Sequence, residues 1–239
     1  MSGSTNKCTV NVLITGGSGA LGTALLEKIP KEWNVYAPGS AICDITDYDT
    51  VLTVIQEFKP SIIIHAAAFV DTFGCEQDKA YAIHVNVVGT ANLVKASVGL
   101  DCKFVYISSE YVFGGERGFY TVEDRLNPKN VYGKTKAASE YIVSTLPNYQ
   151  IVRAPFVRKI YAKAFTDQYS SKYFLEEAAM RIIKNIQHSN TPILHIASER
   201  LSLYDLYRSH GYEVEPMQRG VDQLRALPTD TSLISNEHE

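Results

Sequence analysis

Val12-Leu-Ile-Thr-Gly-Gly-Ser-Gly-Ala-Leu-Gly22 combines a short apolar run with a cluster of glycines. An apolar, β-branched run precedes the glycines, and apolar residues at helical spacing follow them. The glycines of the G-x-x-G-x-x-G pattern are Gly16, Gly19 and Gly22. The stretch therefore predicts a strand, a tight glycine turn and a helix, in that order.

A glycine turn in this context is typical of dinucleotide binding. Glycine permits a tight turn and close approach of the backbone to a pyrophosphate, and the N–H groups of the next helix then face the phosphates. We accordingly expect Ala20 and Leu21, at the start of the helix, to join the glycines in binding the cofactor. A plain turn is the alternative, but the preceding strand and following helix favour the dinucleotide site.

A second nucleotide-binding pattern fails. Gly133-Lys134-Thr135 resembles the end of a phosphate-binding P-loop, but Pro128 occupies the position of its first glycine. The segment also lacks the strand-to-helix context that a P-loop requires.

Strand and helix patterns alternate over the first 155 residues. Strands separated by helix-length segments predict right-handed βαβ units and a doubly wound α/β fold with a parallel sheet. The expected strands are Val10–Thr15, Val35–Ala37, Ile62–Ala66, Phe104–Ser108 and Gln150–Ala154. The first expected helix carries Leu21, Leu25 and Ile29, and the second begins after Asp47. The others run from Ala80 to Val94 as one element and over Val131–Thr145.

The pattern changes near residue 157. We predict a dinucleotide-binding domain over residues 1–157 and a small substrate-binding portion over residues 158–239, packed as one body with it. A helix over Phe174–Ile186, a strand over Pro192–Ile196 and a short helix over Ser202–Ser209 are expected there. Thr229–Glu239 are expected to be loosely ordered.

Composition excludes several classes of protein. The formal net charge of −3 over 239 residues gives no footprint for nucleic acid or an anionic membrane surface. No apolar run reaches the about 20 residues of a membrane-spanning helix, and Met1–Thr9 lack a signal-peptide core. Four separated cysteines form no C-x-x-C pair, so neither a metal site nor a disulfide framework is expected. We expect reduced thiols and a cytoplasmic protein.

Tyr132 and Lys136 form a candidate catalytic pair. They lie four residues apart on one face of a predicted helix. An ammonium group beside a phenol can lower the phenol pKa toward neutrality and make it an effective proton donor. Spacing alone is weak, because Tyr and Lys are both common here. Ser109 adds weight, since it follows a predicted strand at the edge of the sheet where ligands bind, and its hydroxyl could hold a substrate carbonyl.

At this point the sequence resembles a known family, the extended short-chain dehydrogenases/reductases, and within it the dTDP-4-dehydrorhamnose reductases and their relatives. The resemblance covers residues 10–157. Its motifs are Thr15-Gly-Gly-Ser-Gly-Ala-Leu-Gly22, Cys43-Asp-Ile-Thr-Asp47, His65-Ala-Ala-Ala68, Asn86-Val-Val-Gly-Thr90, Ser108-Ser-Glu-Tyr-Val-Phe-Gly114 and Tyr132-Gly-Lys-Thr-Lys136.

The resemblance implies a Rossmann fold and assigns roles by position. The catalytic residues it implies are Ser109, Tyr132 and Lys136, of which Tyr132 and Lys136 also meet the cofactor. The further cofactor-binding residues it implies are Asp44 and Ile45 at the adenine, Ala66, Ala67 and Ala68 at the ribose and pyrophosphate, and Ala154 and Phe156 facing the nicotinamide. Phe73 replaces an acidic residue that many of these reductases carry, and the C-terminal part is shorter than usual.

The expected activity is NAD(P)H-dependent reduction of a nucleotide-diphospho-4-keto-6-deoxy sugar, of the dTDP- or UDP-4-keto-rhamnose type. NADPH is the expected cofactor and NAD the alternative, because Tyr36-Ala-Pro-Gly-Ser40 contains no acid to bind a ribose 2′-hydroxyl. The partners are then a nucleotide sugar and a second copy of the chain in a homodimer. Two rival functions stay open: a sugar-nucleotide epimerase, or a non-catalytic subunit like the regulatory subunit of methionine adenosyltransferase.

One group of residues stays unassigned by the sequence. A cationic clamp for a substrate diphosphate could draw on several C-terminal side chains. These are Arg153, Arg158, Lys159, Lys163, Arg219 and Arg225.

Overall fold

A six-stranded parallel sheet lies at the centre of the molecule. The structure is a computed structural model that describes residues 10–220, 223 and 227–237. The strands are β1 (Asn11–Thr15), β2 (Asn34–Tyr36), β3 (Ile62–His65), β4 (Lys103–Ser108), β5 (Tyr149–Arg153), β6 (Phe156–Val157), β7 (Lys163–Phe165), β8 (Tyr169–Ser170), β9 (Tyr173–Phe174), β10 (Ile193–His195), β11 (Leu201–Ser202) and β12 (Glu215–Met217). The main sheet has the order β10-β5-β4-β3-β1-β2, and every pair in it is parallel.

Helices cover both faces of this sheet. The helices are α1 (Ala20–Lys28), α2 (Tyr48–Phe58), α3 (Thr72–Gln77), α4 (Lys79–Ile83), α5 (Gly89–Ser97), α6 (Val131–Val143), α7 (Leu175–His188) and α8 (Leu203–Ser209). One apolar cluster joins α1 and α7 to the sheet, and a second joins α2, α5 and α6 to its other face. The predicted doubly wound α/β fold is confirmed.

Local sequence explains where elements begin and end. The Asp47 carboxylate accepts hydrogen bonds from the backbone N–H of Asp49 at 2.9 Å and of Thr50 at 3.4 Å, which caps α2. Lys59 closes the same helix in the left-handed conformation, with φ of 51°, and Pro60 follows it. The expected start and end of this helix are both confirmed.

The helix expected over Ala80–Val94 is not one regular element. A π-helical turn, His84–Val88, separates α4 from α5. Within it, the Asn86 carbonyl accepts the hydroxyls of Thr90 at 2.6 Å and Ser139 at 2.8 Å. These side-chain donors satisfy a carbonyl that the wide turn leaves without a regular partner, and hydrophobic spacing alone carries no signal for them.

The C-terminal segment is more ordered than expected. Asp230, Thr231, Ser232 and Leu233 are buried, and Leu233 bridges to Tyr120. The prediction of loose order is therefore wrong for the described part of 229–237. Short polar side chains give order here because they hydrogen-bond buried backbone groups, a pattern without periodicity.

Elements from residues beyond 157 also take part in the main layers. Strand β10 pairs with β5, and α7 packs against α1. Short strand pairs β6-β9, β7-β12 and β8-β11 form the remaining irregular region beside the sheet. No helix in the described part of the chain is long and apolar enough to cross a membrane.

Candidate active site

The glycine turn brings three chain segments into close contact. Gly16 has φ of +73°, and a Cβ atom there would lie 2.7 Å from the Ala67 Cα atom. A Cβ atom at Gly22 would lie 2.2 Å from the Gly16 carbonyl oxygen. Only glycine fits both positions, so the turn, the chain after β3 and helix α1 pack without side chains between them.

A groove of about 430 Å³ opens beside this turn. It contains half of the sequence-predicted cofactor residues: Gly16, Gly19, Asp44, Ile45, Ala66, Ala67 and Ala68. Ala20, Leu21 and Gly22 do not line it, because Leu21 and Gly22 are buried in the packing of α1 and Ala20 faces outward. Ser18, Ser40, Thr46 and His84 also line it, and sequence reasoning did not single them out.

The groove fits the phosphates and adenosine of a dinucleotide. Helix α1 begins after Gly19 without a side-chain cap, so its first N–H groups face the groove. The space that a Cβ at Gly16 would take is filled by the backbone of Ala66 and Ala67, which brings that chain against the turn. The Asp44 carboxylate is held by the Thr46 N–H at 2.9 Å and hydroxyl at 2.8 Å, which fixes its direction at the groove wall.

A second cleft, of about 300 Å³, lies at the carboxyl ends of β4 and β5. Ser109 and Tyr132 line it together with Ala154 and Phe156. The structure thus brings the predicted proton donor, the predicted carbonyl-binding serine and the predicted nicotinamide-facing residues to one cavity. Their positions follow from the fold, because β4 and β5 are neighbours whose chains leave the sheet at the same edge.

Tyr132 is half-buried in the cleft wall, at the first turn of α6. Burial raises its pKa well above the usual range of a phenol, and the negative charge of Glu110 raises it further. The Ser109 hydroxyl offsets part of that rise. Tyr132 is therefore a neutral phenol at physiological pH, which is the form that donates a proton.

Lys136 lies beneath the cleft rather than in its wall. Its ammonium donates to the Ile107 carbonyl at 2.5 Å and stands 4.1 Å from the centre of the Tyr106 ring. Burial lowers the Lys136 pKa to about 7, against the opposing charge of Glu140. The expectation that Lys136 lowers the Tyr132 pKa is therefore wrong, because burial and Glu110 raise that pKa and the Lys136 ammonium is directed to the Ile107 carbonyl instead.

Sequence reasoning missed an ion pair in the cleft. The Lys172 ammonium donates to one Glu110 carboxylate oxygen at 2.5 Å, and the Ser109 hydroxyl donates to the other at 2.8 Å. Glu110 directly follows Ser109, so its position at the end of the strand could be predicted from the sequence. Lys172 stands in an irregular segment, where no periodicity or motif indicates which way a side chain points.

Among the described residues, the candidate cations for a diphosphate clamp fall into two groups, those that line the cleft and those in ion pairs away from it. Arg158 and Lys159 line the cleft. Arg153 and Arg219 are buried in ion pairs with Glu140 and Asp167, and Lys163 pairs with Glu215 on the surface away from the cleft. Arg225 lies outside the described residues.

Asn86 connects the two ligand-binding regions. Its side-chain amide accepts from the Phe69 N–H at 2.7 Å and donates to the Phe69 carbonyl at 3.0 Å. It also donates to the Thr135 hydroxyl, at 3.0 Å, on the helix that carries Tyr132. The loop beside the groove is thereby fixed to the helix beside the cleft.

His65 has a packing role in the sheet. Its ring nitrogens hydrogen-bond the hydroxyls of Thr15 at 2.8 Å and Thr90 at 3.0 Å, and burial lowers its pKa to about 3. Over the described residues, no group of three or more His, Cys, Asp or Glu side chains could hold a metal ion.

Comparison with known proteins gives one matching family. The family model described as RmlD substrate binding domain matches residues 10–209. The chain is 35% identical over 144 residues to the dTDP-4-dehydrorhamnose reductase of Aggregatibacter actinomycetemcomitans. The aligned region is 59% of this chain and 49% of that reductase. The chain is 36% identical over 139 residues to methionine adenosyltransferase 2 subunit beta of Xenopus tropicalis, covering 55% and 42%. The chain thus spans about half the length of these relatives.

Solved structures agree on the fold. A dTDP-4-dehydrorhamnose reductase from Clostridium acetobutylicum superposes with a TM-score of 0.85 at 28% identity, covering 95% of this chain and 90% of that one. The corresponding reductase of Bacillus anthracis, in complex with NADP, gives a TM-score of 0.84 at 26% identity, covering 95% and 91%.

Proposed function

Because the chain belongs to the RmlD substrate binding domain family, we propose that it is an NADPH-dependent reductase of a nucleotide-diphospho-4-keto-6-deoxy sugar. The observation that carries the proposal is the second cleft, where Ser109 and Tyr132 share one wall with Ala154 and Phe156. Relatives named dTDP-4-dehydrorhamnose reductase support the substrate class, of the dTDP- or UDP-4-keto-rhamnose type.

The chain's own residues handle the proton and the orientation of the substrate. A bound nicotinamide supplies the hydride for the keto carbon. Tyr132, neutral at physiological pH, donates its hydroxyl proton to the substrate oxygen as that oxygen gains negative charge. Ser109 lines the same wall and is placed to orient this oxygen once its hydroxyl hydrogen leaves Glu110, and Lys136 lies one helical turn from Tyr132.

NADPH is the proposed cofactor, with NAD as a weaker alternative. The chain after β2, Tyr36-Ala-Pro-Gly-Ser40, carries no acidic side chain that would repel a 2′-phosphate. The Bacillus anthracis structure in complex with NADP supports the same choice. Side-by-side titrations should show tighter binding of NADPH than of NADH, and a strong preference for NADH would contradict this.

Arg158 and Lys159 are the proposed contacts for the substrate diphosphate. Both are exposed and both line the cleft that contains Tyr132. Guanidinium and ammonium groups are the usual partners of phosphate oxygens. The other candidate cations of the described chain are engaged in ion pairs elsewhere.

Reduction is favoured over dehydration. A 4,6-dehydratase needs an acid for the leaving 6-hydroxyl and a base for the C5 proton. Glu110 is the one carboxylate among the described residues that line the cleft, and it is paired with Lys172. Incubation with dTDP-glucose or UDP-glucose should therefore yield no 4-keto-6-deoxy product, and product from either substrate would contradict the assignment.

A cofactor-turnover assay tests the proposal. The purified chain is mixed with NADPH and a panel of preformed 4-keto-6-deoxy sugar nucleotides, and absorbance reports NADPH oxidation. Oxidation with a keto sugar and none without it would support the proposal. An epimerase would instead interconvert sugar isomers without net NADPH consumption.

A non-catalytic subunit is a second candidate, because relatives named methionine adenosyltransferase 2 subunit beta match at similar identity. Ser109, Tyr132 and Lys136 favour the enzyme, although fold and motif alone do not fix function. If this candidate were right, the chain would change the activity of a methionine adenosyltransferase catalytic subunit and consume no NADPH. We further propose that the chain forms a homodimer and is a short-chain dehydrogenase/reductase. We also propose that it is cytoplasmic, which the free thiols of Cys43, Cys75 and Cys102 support. Sedimentation would test the dimer.

A further inference from the structure

The ion pair in the cleft has a role that the proposed function leaves open. We propose that Glu110 and Lys172 are a positioning pair for the proton donor: Glu110 orients the Ser109 hydroxyl, and Lys172 keeps the Glu110 charge from acting on Tyr132. The inference rests on the proposed function and concerns how its proton donor is controlled.

Both oxygens of the Glu110 carboxylate have a partner. The Glu110 side chain is 4% exposed, with the Lys172 ammonium 2.5 Å from one oxygen and the Ser109 hydroxyl 2.8 Å from the other. A carboxylate this deeply buried is stable as an anion only when it is paired and hydrogen-bonded. Lys172 therefore stabilises the Glu110 carboxylate at this position.

The pair fixes the orientation of the Ser109 hydroxyl group. A serine hydroxyl has one hydrogen, and here it points to Glu110. The Ser109 oxygen also accepts the Tyr111 backbone N–H at 3.2 Å. Its direction is thus set by two neighbours on the same short 3₁₀ segment, Glu110–Val112, rather than by free rotation.

The Glu110 charge acts on Tyr132 as well. The titratable groups that interact with Tyr132 include Glu110, Cys75, Tyr111 and Tyr106, and Glu110 is the charged group that raises the Tyr132 pKa most. A phenol with a higher pKa is a weaker proton donor, so an uncompensated Glu110 would slow proton transfer.

Lys172 is placed to compensate this charge. It lies 5.8 Å from the centre of the Tyr111 ring, which itself meets the Tyr132 ring edge-on at 6.2 Å. Burial acts to lower the Lys172 pKa, but Glu110, Tyr111 and Tyr207 outweigh it, and the pKa is raised. Lys172 therefore stays positively charged wherever Glu110 is negative.

Three variants test the pair: Lys172→Met, Glu110→Gln and the double variant. Lys172→Met leaves Glu110 charged and unpaired, so we expect kcat at pH 7.5 to fall at least tenfold with little change in KM. The double variant removes the charge as well, and its kcat should return to within about threefold of wild type. Lys163→Met, which breaks an exposed pair with Glu215 away from the cleft, is the matched control and should leave kcat unchanged.

The pH dependence gives a signature that a merely structural role would not produce. Lys172→Met removes the cation that stabilises the buried Glu110 carboxylate, so lowering the pH should neutralise this carboxylate more readily than in wild type. The turnover of this variant should then recover toward wild type, whereas the double variant should show no such recovery. Equal losses in Lys172→Met and the double variant, or no recovery at low pH, would overturn the proposal.

Unfolding of the same variants reports on the pair without any turnover. Because burial without a cationic partner favours the neutral carboxyl group, Lys172→Met should lose unfolding free energy relative to wild type as the pH rises from acid to neutral. The double variant should lack this decrease, and parallel curves would again overturn the proposal. A wild-type chain that oxidises no NADPH with any keto sugar would instead refute the proposed function, so the two failures are distinguishable.

Discussion

At the scale of single residues, two side chains on one helix have different surroundings. Tyr132 faces the cleft and has a raised pKa, whereas Lys136 is buried beneath it with a pKa lowered to about 7. One residue is suited to donate a proton, and the other changes its charge near neutral pH. Each property can be measured separately.

Tyr132→Phe removes only the hydroxyl of the proposed proton donor. We expect NADPH affinity to stay within about threefold of wild type and turnover to fall by two or more orders of magnitude. Fluorescence titration measures the first and steady-state kinetics the second. Turnover within about threefold of wild type, a barrier change under ~1 kcal/mol, would remove Tyr132 from the mechanism.

Lys136→Met should change how stability depends on pH. The folded Lys136 pKa is about 7, whereas an unfolded lysine titrates near about 10.4. Between these values the unfolded chain binds more protons, so Lys136 makes the free energy of unfolding rise with pH, by at most about 1.4 kcal/mol per pH unit. Urea unfolding of both proteins from about pH 7 to 9 should show the wild type gaining stability relative to Lys136→Met. Parallel curves would contradict the placement of a buried, largely neutral Lys136.

Residue identities in the cleft could be predicted only in part from the sequence. Ser109 and Tyr132 stand in motifs with fixed spacing, Ala154 and Phe156 lie at a predicted strand end, and all four line one cavity. Lys172 could not be predicted, because its contact with Glu110 joins segments 62 residues apart through an irregular chain. Long-range pairs between loops leave no periodic signal.

At the scale of elements, the glycine turn determines how β1, α1 and the chain after β3 meet. Close contact at Gly16 and Gly22 explains why these positions carry no side chain. The pattern of strand, turn and helix could be predicted from the sequence because its signals are local. The π-helical turn at His84–Val88 was not, since it depends on hydroxyl donors from Thr90 and Ser139.

Gly22→Ala tests this packing. Alanine would favour the helix by up to about 1 kcal/mol, but its Cβ would lie 2.2 Å from the Gly16 carbonyl oxygen. The backbone cannot move away at a low energetic cost, so the steric clash should outweigh the gain in helix propensity. We expect a net loss of roughly 1–3 kcal/mol in unfolding free energy and at least tenfold weaker NADPH binding. Gly39→Ala is the control, because its Cβ would meet only the Ser18 hydroxyl, at 3.7 Å. Equal behaviour of the two variants would refute the close contact.

At the scale of the whole molecule, the C-terminal segment fastens the irregular region to the body of the protein. The Asp230 carboxylate accepts from the Ser232 N–H at 3.0 Å and from the Arg200 guanidinium at 2.6 Å. Leu233 bridges to Tyr120 in the chain after β4. We propose that residues 158–239 unfold together with residues 1–157 in a single transition.

Asp230→Ala should destabilise the whole chain. It leaves buried donors of Ser232 and the Arg200 cation without their acceptor, which costs about 2–4 kcal/mol when a partly buried pair is broken. Glu215→Ala, which breaks an exposed pair, should cause no measurable change. Chemical unfolding followed by two probes would also reveal separate transitions, which the proposal of one body excludes.

The most direct test of the account follows the hydride itself. The chain is incubated with NADPH deuterated at the transferred position and a preformed dTDP-4-keto-6-deoxy sugar, and the product is analysed by mass spectrometry and NMR. We predict one deuterium on C4 of the sugar with wild-type protein and none with Tyr132→Phe. NADPH binding without deuterium transfer to any keto sugar of the panel would contradict the claim that this cleft reduces a nucleotide-linked sugar.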